Sequence, residues 1–291
     1  MRHLFFLLFL SSLATFAQSN EVKIMELLKA NKVAQAEELF LKDASLSQNT
    51  KVIETIGDAF GREKNWDSCL EFYKKLVEIH PNSANYHYKY GGALGMKSLS
   101  VSKIKALGYV DDVKKHFETA ANLDPKHLEA RWALIELYVK LPGIVGGSFK
   151  KAEKYADELL KIKTIEGYIA KAYVADEMGN SMEAEMFYKG ALKYVTSINE
   201  SYPRENIHYQ IGKICARYNV EHQTGLKHLN WFLEIQKPSG NIAPEWAHYQ
   251  MSIIYKKQKN KPEALKSIDK ALAAKPDFKQ GLEQKRAILA M

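Results

Sequence analysis

The sequence has few of the residues that interrupt helices and none of the patterns that predict strands. Its 291 residues include only 8 prolines and 16 glycines, and no segment sustains an alternation of apolar and polar residues. Such alternation is the pattern that predicts a half-buried strand. No low-complexity linker occurs, and the apolar fraction of 46% suits a folded chain. We therefore predict an all-α protein.

Motifs that carry catalysis or bind metals are also missing. The sequence contains no HExxH, no CxxC pair and no DxDxDG loop, and His222 and His228 share no helical face with a carboxylate at metal-ligand spacing. Spacing alone reveals no Ser-His-Asp arrangement either. We expect a protein that is not an enzyme, with no catalytic residue, no metal site and no cofactor.

The glycine-rich segment GIVGGS, from Gly143 to Ser148, has two interpretations. It is not a P-loop, because no GK[ST] follows it, and it comes after a predicted helix instead of a strand. Pro142 can end one helix and Ser148 can cap the next, which favours a structural turn. The alternative is an anion held by the backbone amides of Gly146 and Gly147 beside a helix N-terminus.

Lysine supplies most of a formal net charge of +8, which becomes +7 when Arg2 is subtracted. Many glutamates lie between the lysines, as is typical of solvated helix faces. A nucleic-acid interface would need arginines clustered on one face, so we expect no nucleic-acid partner. Attraction to acidic partners or anionic surfaces is a weaker hypothesis.

The chain has one long apolar run, LFFLLFL at residues 4–10, and it lies at the beginning. Arg2 precedes it, and small residues including Thr15 and Ala17 follow it, so residues 1–17 are predicted to be a signal peptide cleaved before Gln18. An uncleaved anchor is the alternative, although the run is shorter than the roughly 20 residues that span a bilayer. We expect a periplasmic or secreted protein with no membrane span after cleavage.

Residues 245–276 contain two helical patterns joined by a short polar segment. Asn260 suits a turn, Pro262 suits the first position of the second helix, and Pro276 ends the unit. The apolar residues of the two halves recur at helical spacing; they are Tyr249, Met251, Ile253, Ile254 and Tyr255, then Ala264, Leu265, Ile268, Ala271 and Leu272.

Five earlier segments repeat this hairpin pattern in register. Each carries bulky and small residues at matching offsets, with Gly57 at a close helix approach in the first; the segments are 50–81, 84–125, 128–164, 165–196 and 205–238. The pattern resembles the tetratricopeptide repeat (TPR), whose period is about 34 residues. The resemblance implies a right-handed superhelical solenoid of antiparallel hairpins.

The resemblance divides the chain after the predicted signal peptide into three parts. Residues 18–49 are predicted to form an N-terminal capping hairpin, 50–276 six repeats and 277–291 a C-terminal capping helix. Caps cover the apolar ends that a stack of hairpins would otherwise expose. Cys69 and Cys215 fall four repeats apart, too far for a disulfide, so both are expected to be core thiols.

The PGIVGGS segment and the long insert of the second repeat are similar to a subgroup of bacterial TPR proteins, for which no assigned chemistry is implied. The insert, at about residues 95–112, is interpreted as an amphipathic flap, a longer hairpin, or a loop packed on the next repeat. Histidines His87, His208 and His248 share one packing position in their repeats and are expected to be buried or half-buried.

In TPR proteins the first helix of each repeat lines the concave face. On this face the resemblance places six aromatic candidates for binding a ligand or peptide: Tyr88, Trp132, Tyr173, Tyr209, Trp246 and Tyr249. Aromatic side chains are favoured at recognition surfaces, although some of these can instead pack on neighbouring helices. The lysine and asparagine clamp of some TPR proteins is not matched, because Glu54, Asp58 and Gly92 stand at such positions.

Three functions follow as alternatives. The first is an exported interaction module, a scaffold or adaptor, that binds a protein or peptide in an aromatic-lined groove. The second is a small-ligand-binding accessory of a periplasmic transport system, and the third is a structural protein that assembles with itself.

Overall fold

The computed structural model describes residues 20–204, 206–235 and 242–291. Within these ranges every regular element is a helix, so the all-α prediction is confirmed for this part of the chain. The predicted signal peptide, residues 1–17, lies outside the described residues, and its cleavage stays a prediction. Among the described helices, none is both long and apolar enough to cross a membrane.

In the part of the chain that the structure describes, sixteen helices follow one another. The first, α1, occupies residues 20–29. The others are α2 (Val33–Lys42), α3 (Thr50–Arg62), α4 (Trp66–Ile79), α5 (Ala84–Leu99), α6 (Lys103–Leu107), α7 (Val110–Leu123), α8 (Leu128–Lys140), α9 (Phe149–Ile162), α10 (Thr164–Glu177), α11 (Ser181–Leu192), α12 (Asn206–Tyr218), α13 (His222–Ile235), α14 (Pro244–Lys257), α15 (Lys261–Ala274) and α16 (Lys279–Leu289). Single 3₁₀ turns lie at Ala44–Leu46, Gly143–Val145 and Val195–Ser197.

The most extensive helix–helix contacts join helices that are adjacent in the chain or, for α5 and α7, separated only by the short α6. They pair α3 with α4, α5 with α7, α10 with α11, α12 with α13 and α14 with α15. These are antiparallel hairpins, and the chain divides into two compact units, one ending at Glu158 and one beginning at Leu159. The boundary falls inside α9.

Local chemistry explains where these helices begin. The side chains of Asn49, Asn65 and Ser83 accept hydrogen bonds from backbone amides of the first turns of α3, α4 and α5. These bonds satisfy amides that have no partner within the helix. Asn260 caps α15 in the same way, so Pro262 is the second residue of that helix and not the first, as the sequence had suggested.

Small residues allow the helices of a hairpin to approach closely. A Cβ atom on Gly57 would lie 2.7 Å from a ring atom of Tyr73 on α4, which confirms the predicted close approach. Ala172 and Ala191 are fully buried in the hairpin of α10 and α11. Cys69 and Cys215 are buried free thiols, as predicted, and burial raises the pKa of each thiol to about 12.

The insert of the second repeat forms the end of α5 and the short helix α6. The main contact of α6 is with α5, and none of its residues is buried. It is therefore a short helix that leaves its aliphatic side chains in solvent, not a long extended loop.

Candidate functional site

The six aromatic candidates divide between the two units and differ in burial. Trp132 is only 7% exposed, and Tyr209 is buried too, so both rings belong to the core of their units. Tyr88, Tyr173, Trp246 and Tyr249 are half-buried. A surface for a ligand therefore has to be built from the half-buried group.

Trp246 and Tyr249, in the second unit, are engaged by the C-terminal helix. The rings of Trp246 and Phe278 lie 4.7 Å apart between centroids, and those of Tyr249 and Phe278 lie 5.6 Å apart. Phe278 directly precedes α16 and is almost fully buried. These aromatic side chains therefore attach the last helix to α14, a contact that stabilises the fold.

Tyr88, in the first unit, lies between two helices. Its ring contacts Phe117 of α7 at 5.9 Å and His127 at 5.1 Å between centroids. His127 caps α8, because its Nδ1 accepts a hydrogen bond from the backbone amide of Ala130 at 3.3 Å. Tyr88 therefore joins the middle of α5 to the beginning of α8.

Two carboxylates act on the hydroxyl of Tyr88 through their negative charge. Burial raises the pKa of this hydroxyl, and the negative charges of Glu129 and Glu136 raise it further. These two glutamates are seven residues apart on α8, so they lie on one helical face. Tyr88 thus presents a polar edge next to acidic side chains.

Gly92 follows Tyr88 by one helical turn and lies on the same face of α5. A Cβ atom added to Gly92 would meet no atom within 4 Å, whereas one added to Gly91 would lie 3.0 Å from a ring atom of Phe117 and 3.2 Å from Cβ of His116. Gly91 is thus needed for packing α5 on α7, but Gly92 opens onto empty space. We use the name Tyr88 notch for the face of α5 at Tyr88 and Gly92, together with Glu129 and Glu136 of α8, whose charges act on the Tyr88 hydroxyl.

An ion-pair network lies beside the notch on the same helix. Lys89 Nζ is 2.6 Å from Glu54 Oε1 and 2.7 Å from Asp58 Oδ1. The hydroxyl of Tyr73 donates a hydrogen bond to Asp58. Because these charges satisfy one another, the network links α3, α4 and α5 and holds Tyr88 and Gly92 in place.

The two glycines give a direct test of this assignment. Gly91→Leu is expected to lower the free energy of unfolding by about 1–3 kcal/mol, because the side chain would overpack the contact with Phe117. Gly92→Leu is expected to leave stability unchanged or to raise it by up to about 1 kcal/mol, since leucine is a better helix former than glycine. Urea denaturation measures both, and equal losses would contradict the open space at Gly92.

The GIVGGS segment is the structural turn that we favoured. Its amides are used internally: Gly146 N donates to Gly143 O, Gly147 N to Pro142 O and Ser148 N to Tyr138 O. A Cβ on Gly147 would lie 1.8 Å from the carbonyl oxygen of Leu141, so this position admits only glycine. Ser148 Oγ accepts from the amide of Lys151 and caps α9. Because these amides already donate to carbonyl oxygens, they give no support for a bound anion.

Two of the shared-position histidines pair with a second histidine. His87 Nδ1 lies 2.8 Å from His116 Nδ1, and His208 Nδ1 lies 2.8 Å from His228 Nδ1. The pairs occupy the hairpins of α5 with α7 and of α12 with α13. His248 has the same place on α14, but its buried Nδ1 has no hydrogen-bond partner among the described residues. Burial of His87 and His208 agrees with the prediction.

The sequence does not reveal the Tyr88 notch or the histidine pairs, because each joins residues of different helices. Gly92 is visible in the sequence as a departure from the clamp of some TPR proteins, and a glycine in the middle of a helix is itself a signal. Among the described residues, no group of three or more histidine, cysteine, aspartate or glutamate side chains is placed to bind a metal ion.

Comparison with known proteins identifies the fold. No family model matches the sequence, and no curated protein matches it. A tetratricopeptide repeat protein from Parabacteroides merdae ATCC 43184 is similar in structure, with a TM-score of 0.52, 14% identity, and coverage of 94% of this chain and 98% of that one.

Two further structures are similar at the same level. The pilF protein of Pseudomonas aeruginosa has a TM-score of 0.50 and 10% identity over 83% of this chain and 96% of its own. Human IFIT1, a dimer with PPP-AAAA, has a TM-score of 0.50 and 19% identity over 87% of this chain and 53% of its own. Likeness at such identities reports the fold alone. Together with the tandem helical hairpins, it shows that this all-α chain has the tetratricopeptide-repeat fold.

Proposed function

We propose that the chain is a non-enzymatic interaction module that binds a peptide segment of a partner protein at the Tyr88 notch. The observation that supports this proposal most directly is the open space beside Gly92, a glycine within α5. A glycine inside a helix costs about 1 kcal/mol relative to alanine. No neighbouring atom requires glycine there, so folding gives no reason for it.

The missing side chain is useful for binding. Without a Cβ atom, a ligand can approach the backbone of α5 closely, as glycines allow elsewhere. Tyr88 lies one turn away and offers an aromatic face with a polar edge, the kind of side chain that often anchors interfaces. The ion pairs of Lys89 hold this part of α5, so the surface is formed before the ligand arrives.

We also propose that the protein is exported. This part of the proposal rests on the sequence of residues 1–17 alone. Binding of a small ligand and self-assembly remain the alternatives. Neither has a structural observation comparable to Gly92 in its favour.

The test is selection of peptides from a random display library with the wild-type protein. Selected peptides should bind the Gly92→Leu variant at least about tenfold more weakly. This change corresponds to a loss of roughly 1.4 kcal/mol of binding free energy. Gly143→Leu is the matched control, since Gly143 also has open space around it and is not one of the residues of the notch.

Three results would contradict the proposal. They are no enrichment of peptides, equal binding by wild type and Gly92→Leu, or equal loss in both glycine variants. Thermal unfolding of each variant verifies that the fold is intact.

A further inference from the structure

Three large aliphatic side chains of the insert in the first unit are held in solvent. Leu99 at the end of α5 is 80% exposed, and Ile104 and Leu107 on α6 are 84% and 53% exposed. Ile104 and Leu107 are three residues apart, so they lie on one face of α6. We call these three side chains the insert tip.

The hairpin does not need these side chains for its core. Leu94 of α5 is buried, as are Val113 and Phe117 of α7, and α6 contributes no buried residue. Backbone hydrogen bonds hold the insert, including those from Ala106 N to Ser102 O and from Tyr109 N to Ala106 O. The aliphatic residues of the insert tip are thus presented outward by an ordered backbone.

Positive charge surrounds the insert tip. Residues 96–115 contain five lysines and two aspartates. Lys97 is paired with Asp67, and Lys114 with Asp111. Lys103 and Lys105 of α6 and Lys115 of α7 are exposed and outnumber the remaining aspartate, Asp112, so the insert carries an excess of positive charge.

We propose that the insert tip docks the protein on an anionic lipid surface. Leu99, Ile104 and Leu107 enter the boundary between headgroups and acyl chains, and Lys103 and Lys105 contact lipid phosphates. Apolar side chains together with lysines are the combination that binds proteins to anionic membrane surfaces. This inference does not depend on peptide binding at the Tyr88 notch.

The size of the patch favours lipid over a protein partner. A stable protein interface buries about 800 Å² on each side and requires complementary shape. Three separate side chains on a five-residue helix offer much less contact area. A lipid interface has no fixed shape, so it can receive isolated side chains.

The test is titration with vesicles of phosphatidylcholine alone and of phosphatidylcholine mixed with anionic phosphatidylglycerol. Both the full chain and the same chain beginning at Gln18 are measured, because the apolar run at residues 4–10 can enter bilayers by itself. We expect binding to the mixed vesicles that weakens as salt is added, since salt screens the lysines.

The triple variant Leu99→Ser, Ile104→Ser, Leu107→Ser should bind the mixed vesicles at least about tenfold more weakly, because its side chains no longer enter the apolar layer. Its fold should be unchanged, since the replaced side chains are in solvent. Met182→Ser, Met186→Ser is the matched control; both methionines are exposed on α11, where Glu183 and Glu185 lie beside them.

Four outcomes would overturn the proposal. They are no binding by the wild type, equal binding to both kinds of vesicle, an equal loss in the methionine control, or a triple variant that changes only the oligomeric state in solution. The last would assign the insert tip to contact between two copies of the chain.

Discussion

Arg204→Ala is expected to lower the free energy of unfolding by about 3–5 kcal/mol, because it removes the guanidinium that pairs with a buried carboxylate. Glu166, in the first turn of α10, has no exposed surface, and the side chain of Arg204 is 13% exposed. The two groups form a bidentate pair, with Arg204 Nε at 2.9 Å from Glu166 Oε1 and Arg204 Nη2 bonded to Oε2.

Arg204 also fixes the segment before α12. Its Nη1 donates to Gln210 Oε1 at 2.9 Å, so one guanidinium joins the beginning of α10 to α12. Removal of the guanidinium breaks the ion pair and this additional bond together. The loss should therefore exceed that of an ordinary surface ion pair.

The same unit provides the control. Arg217 makes a bidentate pair with Asp176, also between α12 and α10, at 2.6 and 2.9 Å. The side chain of Arg217 is 42% exposed, so Arg217→Ala should cost only about 0–1 kcal/mol. Urea denaturation of both variants measures the difference, and similar losses would mean that burial does not decide the value of these pairs.

Acidification from pH 7 to pH 5 is expected to destabilise the protein by about 2–3 kcal/mol through its histidines. Burial, followed by the charge of the partner histidine, lowers the pKa of His116 and of His228 to about 4. Burial also lowers the pKa values of His208 and His248. The unfolded chain, with histidine pKa values near 6.5, then binds more protons than the folded chain.

This difference in bound protons between the unfolded and folded chains decides that acid lowers the stability. The contribution of these histidines is fully present above about pH 6.5 and is lost as the pH falls from there toward 4. Most carboxylates titrate below pH 5, so the range from 7 to 5 reports mainly on histidine. A denaturation midpoint that does not change over this range would contradict the prediction.

The hydrogen bonds of the histidine pairs also indicate that acidification destabilises the folded protein. His87 Nε2 lies 2.8 Å from the carbonyl oxygen of Pro81, so it carries a proton and donates it. The Nδ1 of His87 then accepts from the Nδ1–H of His116. His208 repeats the arrangement, with Nε2 at 3.3 Å from Glu200 O and Nδ1 at 2.8 Å from His228 Nδ1. Protonation of His208 Nδ1, which burial disfavours by lowering the pKa of this ring, places two N–H groups against each other and breaks the contact.

Charged neighbours of each histidine pair change how far the pKa values are lowered, but they do not reverse the lowering. Lys115 lowers the pKa of His116 and Asp112 raises it, and Lys227 lowers that of His228. His228→Asn removes the titrating ring and should reduce the change in midpoint between pH 7 and pH 5. An unchanged pH dependence in this variant would assign the effect to other groups.

The sequence by itself determined the helices and most of their turns. Helical spacing placed Ala264, Ile268 and Ala271 on one face, and all three are buried. Asn260 and Ser148 were recognised as residues that suit a turn and a cap, and both make capping bonds. Such features depend on residues only a few positions apart, so a single sequence contains the information.

Only the tertiary structure decided which side chains of a face reach solvent. Tyr88 and Trp132 are both predicted to line the concave face, yet Trp132 is buried and Tyr88 is half-buried. Gly91 and Gly92 are adjacent, yet one packs against Phe117 and the other faces open space. Periodicity gives the direction of a side chain from its helix axis. The depth of its burial depends on where the neighbouring helix lies, which is set by contacts between residues far apart in the sequence.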